Sequence, residues 1–388
     1  MKNWKEYRFS DFVDINPKIT LKSNQEYSFV EMKDLNESSK HCEPSQKRIL
    51  KGGARFEEGD TLFARITPCL ENGKICQVRN LENGVGYGST EFLVFRGKKD
   101  ISDTDFVFYL SRYDDVRNFA ESNFDGTSGR QRVPKSAFDN LYLVLPPPPI
   151  QKAIASTLNC LDAKIDLLHR QNEILEEMAE TLFRKWFVED AKENWKTGTV
   201  SDVATHLKKS VNPQKHPDIE FQHYSIPSFD NAKQPLSELG STIQSSKYIL
   251  EENAILFSKL NPQKDKRVWL LQDEVLNNSI CSTEFQIIKP IDEGYLYFLY
   301  GWLTLRENYN KIASGSGGTS GSHQRIDPST IFSFHCPKIP PNYIEEFNKK
   351  SKLLFQKQIN NSHQIKNLNQ LRDSLLPQLI SGAIKLKA

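Results

Sequence analysis

Apolar residues fall at alternating steps of four and three from Ile154 through Leu158, Leu161, Ile165 and Leu168. Past a polar Asn172 they continue through Leu175, Ala179, Leu182 and Trp186. This 3.5-residue repeat keeps one seam of a helix turned toward a partner helix, so it predicts a coiled-coil strand from Ile150 to about Phe187. Glu173, Glu176, Glu177 and Glu180 leave its other faces too polar for burial all round. Such a helix is about 55 to 60 Å long, so it projects from or runs between domains. A second seam, from about Tyr343 to Ile380, uses Phe347, Leu354, Ile365, Leu368, Leu375 and Leu379. Ser351, Gln358, Asn361 and Arg372 interrupt it, and polar seam positions of that kind cost stability but fix register.

The two seams belong to a longer repeat. A shift of 193 residues carries Ser89-Thr90-Glu91-Phe92 onto Ser282-Thr283-Glu284-Phe285, Gln131-Arg132 onto Gln324-Arg325, and Leu182 onto Leu375. A shift of 191 carries Asn3-Trp4-Lys5 onto Asn194-Trp195-Lys196, and one of 194 carries Leu62-Phe63 onto Leu256-Phe257. Offsets that drift so little across a whole half indicate duplication. Each half reads as a globular domain, proline punctuation and a long helix: 1–149 then 150–193, and 194–340 then 341–388.

Within the first domain, period-two runs predict strands at Tyr27–Glu31, Asp60–Ile66, Ile75–Val78, Thr90–Phe95 and Leu141–Leu145, with one helix from Thr104 to Ala120. The loop Thr67–Lys74 carries proline and Asn-Gly turn chemistry, and Asn123–Arg132 is rich in Gly, Thr and Ser. Pro146 to Pro149 predict a stiff extended spacer with no helix inside it. The second domain repeats the scheme with a strand at Ala254–Leu260, a loop at 261–267, a helix at Glu293–Tyr309, a glycine-rich loop at Ser314–Arg325, and Pro337, Pro340 and Pro341.

Charge sharpens this picture once it is divided. The net +2 hides 22 basic and 22 acidic residues in 1–149 and 15 of each in 194–340, whereas 150–193 carries 6 basic against 9 acidic and 341–388 carries 8 against 3. Two neutral domains and two oppositely charged helices suggest that the helices pair with each other. The start of the chain is too polar for a signal peptide and no apolar run is long enough to span a bilayer, so a cytoplasmic protein without membrane partners is expected. The six cysteines form no CxxC pair, which argues against a disulfide framework or a zinc site.

Catalytic signatures are absent from the sequence. The glycine-rich loops lack the Gly-Lys-Ser/Thr ending of a phosphate-binding loop, no GxGxxG follows a strand, and the eight histidines show no HExxH or other ligand spacing. No Asn-Pro-Pro-aromatic or Asp-Pro-Pro-aromatic tetrapeptide of a methyltransferase is present. A protein that is not an enzyme, with no metal and no cofactor, is the expectation. What stands out instead is a set of polar loops at equivalent places. The first repeat offers Arg65, Thr67, Asn72 and Lys74, then Thr127, Ser128, Arg130, Gln131 and Arg132. The second offers Lys259, Asn261, Gln263, Lys264, Lys266 and Arg267, then Thr319, Ser320, His323, Gln324 and Arg325. Arg, Lys, Gln and Asn can pair with base edges while Ser, Thr and backbone amides suit phosphates, so these residues are candidate DNA contacts. Neutral domains argue against strong nonspecific affinity, which leaves much of the binding energy to partner subunits.

Three stretches carry a family resemblance: TLFARITPCLENGK with GYGSTEF, TSGRQRVP, and LPPPPIQKAIASTLNCLDAKIDLLHRQNEILEEMAETLFRKWF, each with its second-half counterpart. Across nearly all of its length the chain resembles a specificity subunit of a type I restriction-modification system. The resemblance implies an α+β fold: two similar mixed α/β target recognition domains joined by two long helices that form an antiparallel coiled coil, a tandem repeat with pseudo-twofold symmetry. It also implies that each domain reads one half of a split, asymmetric site in double-stranded DNA. In that family the helices act as spacers and dock two methyltransferase subunits, and restriction and motor subunits join them. Gln151-Lys152 and Asn342-Tyr343 depart from the Glu-Gln that many members carry after the prolines, and the second loop keeps Pro262 but not the Asn-Gly. Two other readings compete: a coiled-coil scaffold that binds proteins without DNA specificity, and a modification enzyme whose site is assembled from distant residues.

Overall fold

The computed structural model describes residues 3–127, 129–230, 233–272, 275, 277–317 and 324–386. The chain forms two compact units, residues 1–170 with 361–388 and residues 171–360, so each long helix contributes to both.

In the first unit one sheet has the strand order Val13–Ile15, Phe92–Gly97, Thr61–Ala64, Ile75–Val78, His41–Cys42. A second has the order Gln46–Ile49, Glu26–Val30, Val85–Gly88, Ala54–Glu57, with Ser28 to Val30 running parallel to Gly86 to Gly88. The strand Thr61–Ala64 is buried along its whole length because its two faces meet different cores. Phe63, with Leu93 and Phe95 of its neighbour, packs against the helix Thr104–Arg112, while Leu62, Val94 and Val78 pack with Phe56 and Val30 of the second sheet. Successive strand side chains point to opposite faces, so a strand covered on both sides reads as a continuous apolar run.

The second unit repeats the core of this topology, with four strands in its first sheet and five in its second. Its first sheet runs Ala204–Leu207, Phe285–Pro290, Ala254–Ser258, Val268–Leu271, and its second runs Ser210–Val211, Lys247–Ile249, Ser279–Cys281, Glu220–Tyr224, Leu236–Leu239. The parallel pair recurs between Gln222 to Tyr224 and Ser279 to Cys281. Ile255 and Phe257 face one core and Leu256 the other, as Phe63 and Leu62 do in the first unit.

The single helices expected at 104–120 and 293–309 are each two. Thr104–Arg112 and Asp114–Ser122 break at Tyr113 (φ −67°, ψ 138°), and Leu296–Thr304 and Arg306–Ser314 break at Leu305 (φ −53°, ψ 126°). The Tyr113 carbonyl accepts from the amides of Val116 and Arg117, and Asp114 and Asp115 place negative charge at the new amino end, where the helix dipole favours it. The proline spacer is also shorter than expected. The first long helix spans Pro148–Arg184, so Pro148 and Pro149 are its first turn. Proline is tolerated there because the first amides of a helix have no intrahelical acceptor; the first donors, Ile150 and Gln151, reach the Pro147 carbonyl. The second long helix likewise opens on a proline and spans Pro341–Ile380.

The long helices pair antiparallel within each unit. In the first, Ile154 and Leu158 share a core with Leu379 and Ile380, while Ile165 and Leu168 meet Ile365. In the second, Gln358 Nε2 donates to the Asn172 carbonyl at 3.0 Å, and Ala179, Phe183 and Phe187 share a core with Phe347 and Phe355. The seam expected at Leu182 and Trp186 is corrected by one residue: Phe183 and Phe187 are 1% and 3% exposed, whereas Leu182 and Trp186 are only partly covered. A straight α-helix lags a strict heptad by about 20° per repeat, so over four heptads the lag nears the 100° step of one residue and the next side chain takes the seam. Ser351, Asn361 and Arg372 are buried at the polar seam positions. Arg372 Nη1 donates to Asp162 Oδ1 at 2.8 Å and to the Ser38 carbonyl, and Tyr109 donates to the other Asp162 oxygen at 2.5 Å.

Phe183 packs against Phe187, Phe298 and Phe347, and a Cβ on Gly301 would come 2.2 Å from its ring. Phe183→Ala should therefore cost about 3–5 kcal/mol in denaturant unfolding of the full chain, and Leu182→Ala less than half of that. Equal costs would place the seam back at Leu182.

Candidate nucleic-acid interface

The polar loops singled out by the sequence are held by the same bracket in both units. The Arg65 amide donates to the Glu91 carbonyl (2.9 Å), and the Val133 amide donates to the Arg65 carbonyl (2.8 Å). In the second unit Lys259 and Glu284, then Ile326 and Lys259, make the same two bonds at 2.9 and 3.0 Å. Isolated bridges pair Ile66 and Asp125 with Arg132, and Leu260 and Gly317 with Arg325. Each glycine-rich loop is thus stitched to the end of the strand that precedes the other polar loop.

Repeated charges lock the bracket. Arg132 donates through Nε and Nη2 to the two Glu91 oxygens at 2.8 and 2.7 Å, and Arg325 grips Glu284 in the same fork at 3.2 and 2.8 Å. The Glu of each Ser-Thr-Glu-Phe and the Arg of each Gln-Arg, which marked the repeat in the sequence, are partners. Hydrogen bonds from Arg132 hold the Glu91 carboxyl below its ordinary value; partial burial works the other way, and the charges of Arg132 and Arg65 reinforce the depression.

Other predicted residues divide between structural ties and open positions. Thr67 is buried; its amide donates to the Gln131 carbonyl and its Oγ1 accepts from the Gln131 amide. Lys74 Nζ donates to the Met32 carbonyl, Lys266 Nζ to the Thr304 carbonyl at 2.7 Å, and Gln263 Nε2 to the Ala313 carbonyl and to Ser316. Arg267 forks onto Asp230 at 2.7 and 2.8 Å and pairs with Asp265. Asn261 adopts φ +46°, and its amide donates to the Gln324 carbonyl. Asn72, Thr127, Arg130 and Lys264 are exposed, and Lys259 is half-buried. Ser128, Thr319, Ser320 and His323 lie outside the described residues.

Arg65 is half-buried and opens onto a groove that sequence reasoning missed. Asn16–Thr20, Gly53–Arg55, Arg65, Thr90, Phe92 and Val94 line an open groove of about 630 Å³. Asn16 stitches its wall to the first sheet: its amide donates to the Val94 carbonyl at 2.7 Å and its Oδ1 accepts from the Val94 amide at 2.9 Å. Arg55 Nη1 donates to the Ile19 carbonyl at 3.1 Å. The lining holds three cations, Lys18, Arg55 and Arg65, and no carboxylate. Arg65 Nε is buried without a hydrogen-bond partner. In the second unit Lys259 stands at the position of Arg65, and it and Lys208 lie near enough to His206 that, after burial itself, their charges depress its proton affinity. The available signal was the shift of 191, which carries Lys18 onto Lys209.

Among the described residues no group of three His, Cys, Asp or Glu side chains is placed to hold a metal, and no helix is long and apolar enough to cross a membrane. The geometry is that of a duplicated, loop-presenting module. Residues 1–177 match the model of the Type I restriction modification DNA specificity domain. The chain is 28% identical over 261 residues to the EcoEI specificity subunit of Escherichia coli, covering 63% of this chain and 44% of that one. It is 29% identical over 287 residues to the EcoAI specificity subunit of the same organism, covering 70% and 48%. The match thus spans about half the length of these two relatives. The crystal structure of the type I system S subunit from M. genitalium superposes with a TM-score of 0.51 at 14% identity over 99% of this chain and 97% of that one, a likeness of fold. Residues 1–177 thus match a type I restriction modification DNA specificity domain, and the chain as a whole is similar to specificity subunits of type I restriction enzymes.

Because the Glu91 carboxyl is depressed in the fold, its pair with Arg132 stabilises the protein above the unfolded value of 4.5 and is lost as pH falls through the folded value. The thermal midpoint of Glu91→Gln should lie below that of the parent at about pH 7, and the gap should narrow as pH falls below 4.5. A gap that is constant with pH would mean that the carboxylate charge contributes nothing to the bracket.

Proposed function

We propose that this protein is the DNA-reading subunit of a type I restriction-modification complex. Each globular domain reads one half of a bipartite, asymmetric site in double-stranded DNA; the paired helices set the spacing and dock two methyltransferase subunits, and restriction and motor subunits join that assembly. The observation that carries this reading is the bracket built twice, with Arg65 at one strand end and Lys259 at its counterpart, each tied to a Gly-rich loop. One reading head made twice with different side chains suits a target whose two halves differ in sequence.

The helices suit the role of a spacer. B-DNA turns once in about 34 Å, so two domains reading separate half-sites need a fixed distance and rotation, which a helix pair supplies better than a flexible linker. Candidate contacts at the open positions are Arg65, Asn72, Thr127, Arg130, Lys259 and Lys264, together with Ser128, Thr319, Ser320 and His323. Residues whose charged ends are already gripped, Arg132, Arg267 and Arg325, position the loops instead. The chemistry of methylation and cleavage then resides in the partner subunits.

Exchanging residues 1–145 for the equivalent segment of another specificity subunit should change one half of the methylated target and leave the other intact, read by methylome sequencing. Deleting one heptad from both helical segments should shorten the gap between the half-sites. If both halves change on exchange, or the gap survives the deletion, the reading fails. Gel shifts separate the scaffold alternative, since only a DNA reader gains sequence-selective binding when its methyltransferase subunits are added.

A further inference from the structure

We infer that the groove beside Arg65 is the seat of the DNA half-site read by the first domain. Arg65 reads the edge of a guanine there, and Lys18 and Arg55 hold backbone phosphates. The inference rests on the DNA-reading function proposed above and adds the contact chemistry and one base pair of the target.

The charge distribution comes first. The first domain has as many acidic as basic residues, yet three cations and no carboxylate line this groove. Glu91, the acidic residue nearest in sequence to the lining, has both oxygens gripped by Arg132. A neutral protein that concentrates cations in one concavity has made its anion site there, and duplex DNA is the polyanion that the function proposed above supplies.

The side chains then sort by preorganisation. Backbone bonds on both sides, to Glu91 and Val133, fix Arg65 at its root. A guanidinium pinned at its root with an unused fork matches the paired O6 and N7 acceptors of guanine in the major groove. Lys18 and Arg55 are exposed on the groove wall, the position suited to phosphates, which orient the duplex without reading it. Binding of single strands would call for exposed aromatic platforms, but Phe92, the one aromatic residue in the lining, is 2% exposed. At the equivalent place in the second unit Lys259 offers a point charge rather than a planar fork, so the two units present different side chains there.

The test uses the full-length chain assembled with the methyltransferase subunits of its own system and a randomised duplex library as probe. Arg65→Met keeps an unbranched side chain and removes its donors; it should abolish a G·C preference of roughly five- to a hundredfold at one position of one half-site and leave all other positions unchanged. Lys18→Ala and Arg55→Ala should weaken binding of the selected duplex uniformly, each lowering the slope of log affinity against log salt by about 0.9. Thermal melting matched to the parent guards against misfolding. If the parent selects a sequence and Arg65→Met selects the same one, or the salt slopes do not move, the groove assignment is wrong while the DNA-reading function stands. If the parent selects no duplex, or prefers single strands, the function itself falls and this inference with it.

Discussion

Two helices of this length, each with an apolar seam, are not stable in water alone, and the fold follows from how that seam is covered. The first compact unit takes residues 3–170 together with 361–386, so its core closes only when the two ends of the chain meet. Leu379 and Ile380 lie in the same core as Phe63, Phe95 and Leu158. Burial of side chains like these is worth about 1.5–3 kcal/mol each, which makes the carboxy-terminal helix part of the amino-terminal unit rather than an appendage to it. A repeat in the sequence is therefore not the same thing as a folding unit.

The duplication is also not symmetrical where the helices meet. The repeat shift carries Asp162 onto Phe355 and Ala179 onto Arg372. One unit holds the buried ion pair of Asp162 and Arg372, with Tyr109 and the Ser38 carbonyl satisfying the remaining groups, and the other holds Ala179 and Phe355 in an apolar core. A lone carboxylate or guanidinium buried against the wrong helix would carry a penalty of several kcal/mol, so this difference discriminates against pairing each helix with a copy of itself. Polar groups at a helix seam serve specificity here at some cost in stability.

Charge does two jobs in the domains. Where carboxylates and guanidinium groups fork onto each other, as Glu91 with Arg132 and Glu284 with Arg325, they hold loops in place. Three cations that form no salt bridge among the described residues, Lys18, Arg55 and Arg65, gather in one groove. A balanced composition conceals that separation, because net charge counts residues and not the neighbours each has acquired.

The sequence by itself determined the doubling, the two long helices, their polar interruptions and the strand at 61–64, since these depend on periodicities of two, of three and a half, and of 193 along the chain. It also marked Glu91 and Arg132 as special without saying that they are partners. The tertiary structure alone decided the helix breaks at Tyr113 and Leu305 and the move of the seam from Leu182 to Phe183. It also decided the groove, which draws on residues 16–20, 53–55, 65 and 90–94. Local patterns record which side of an element is apolar. They do not record which distant segments a sheet will lay side by side, and a binding surface is made of that juxtaposition.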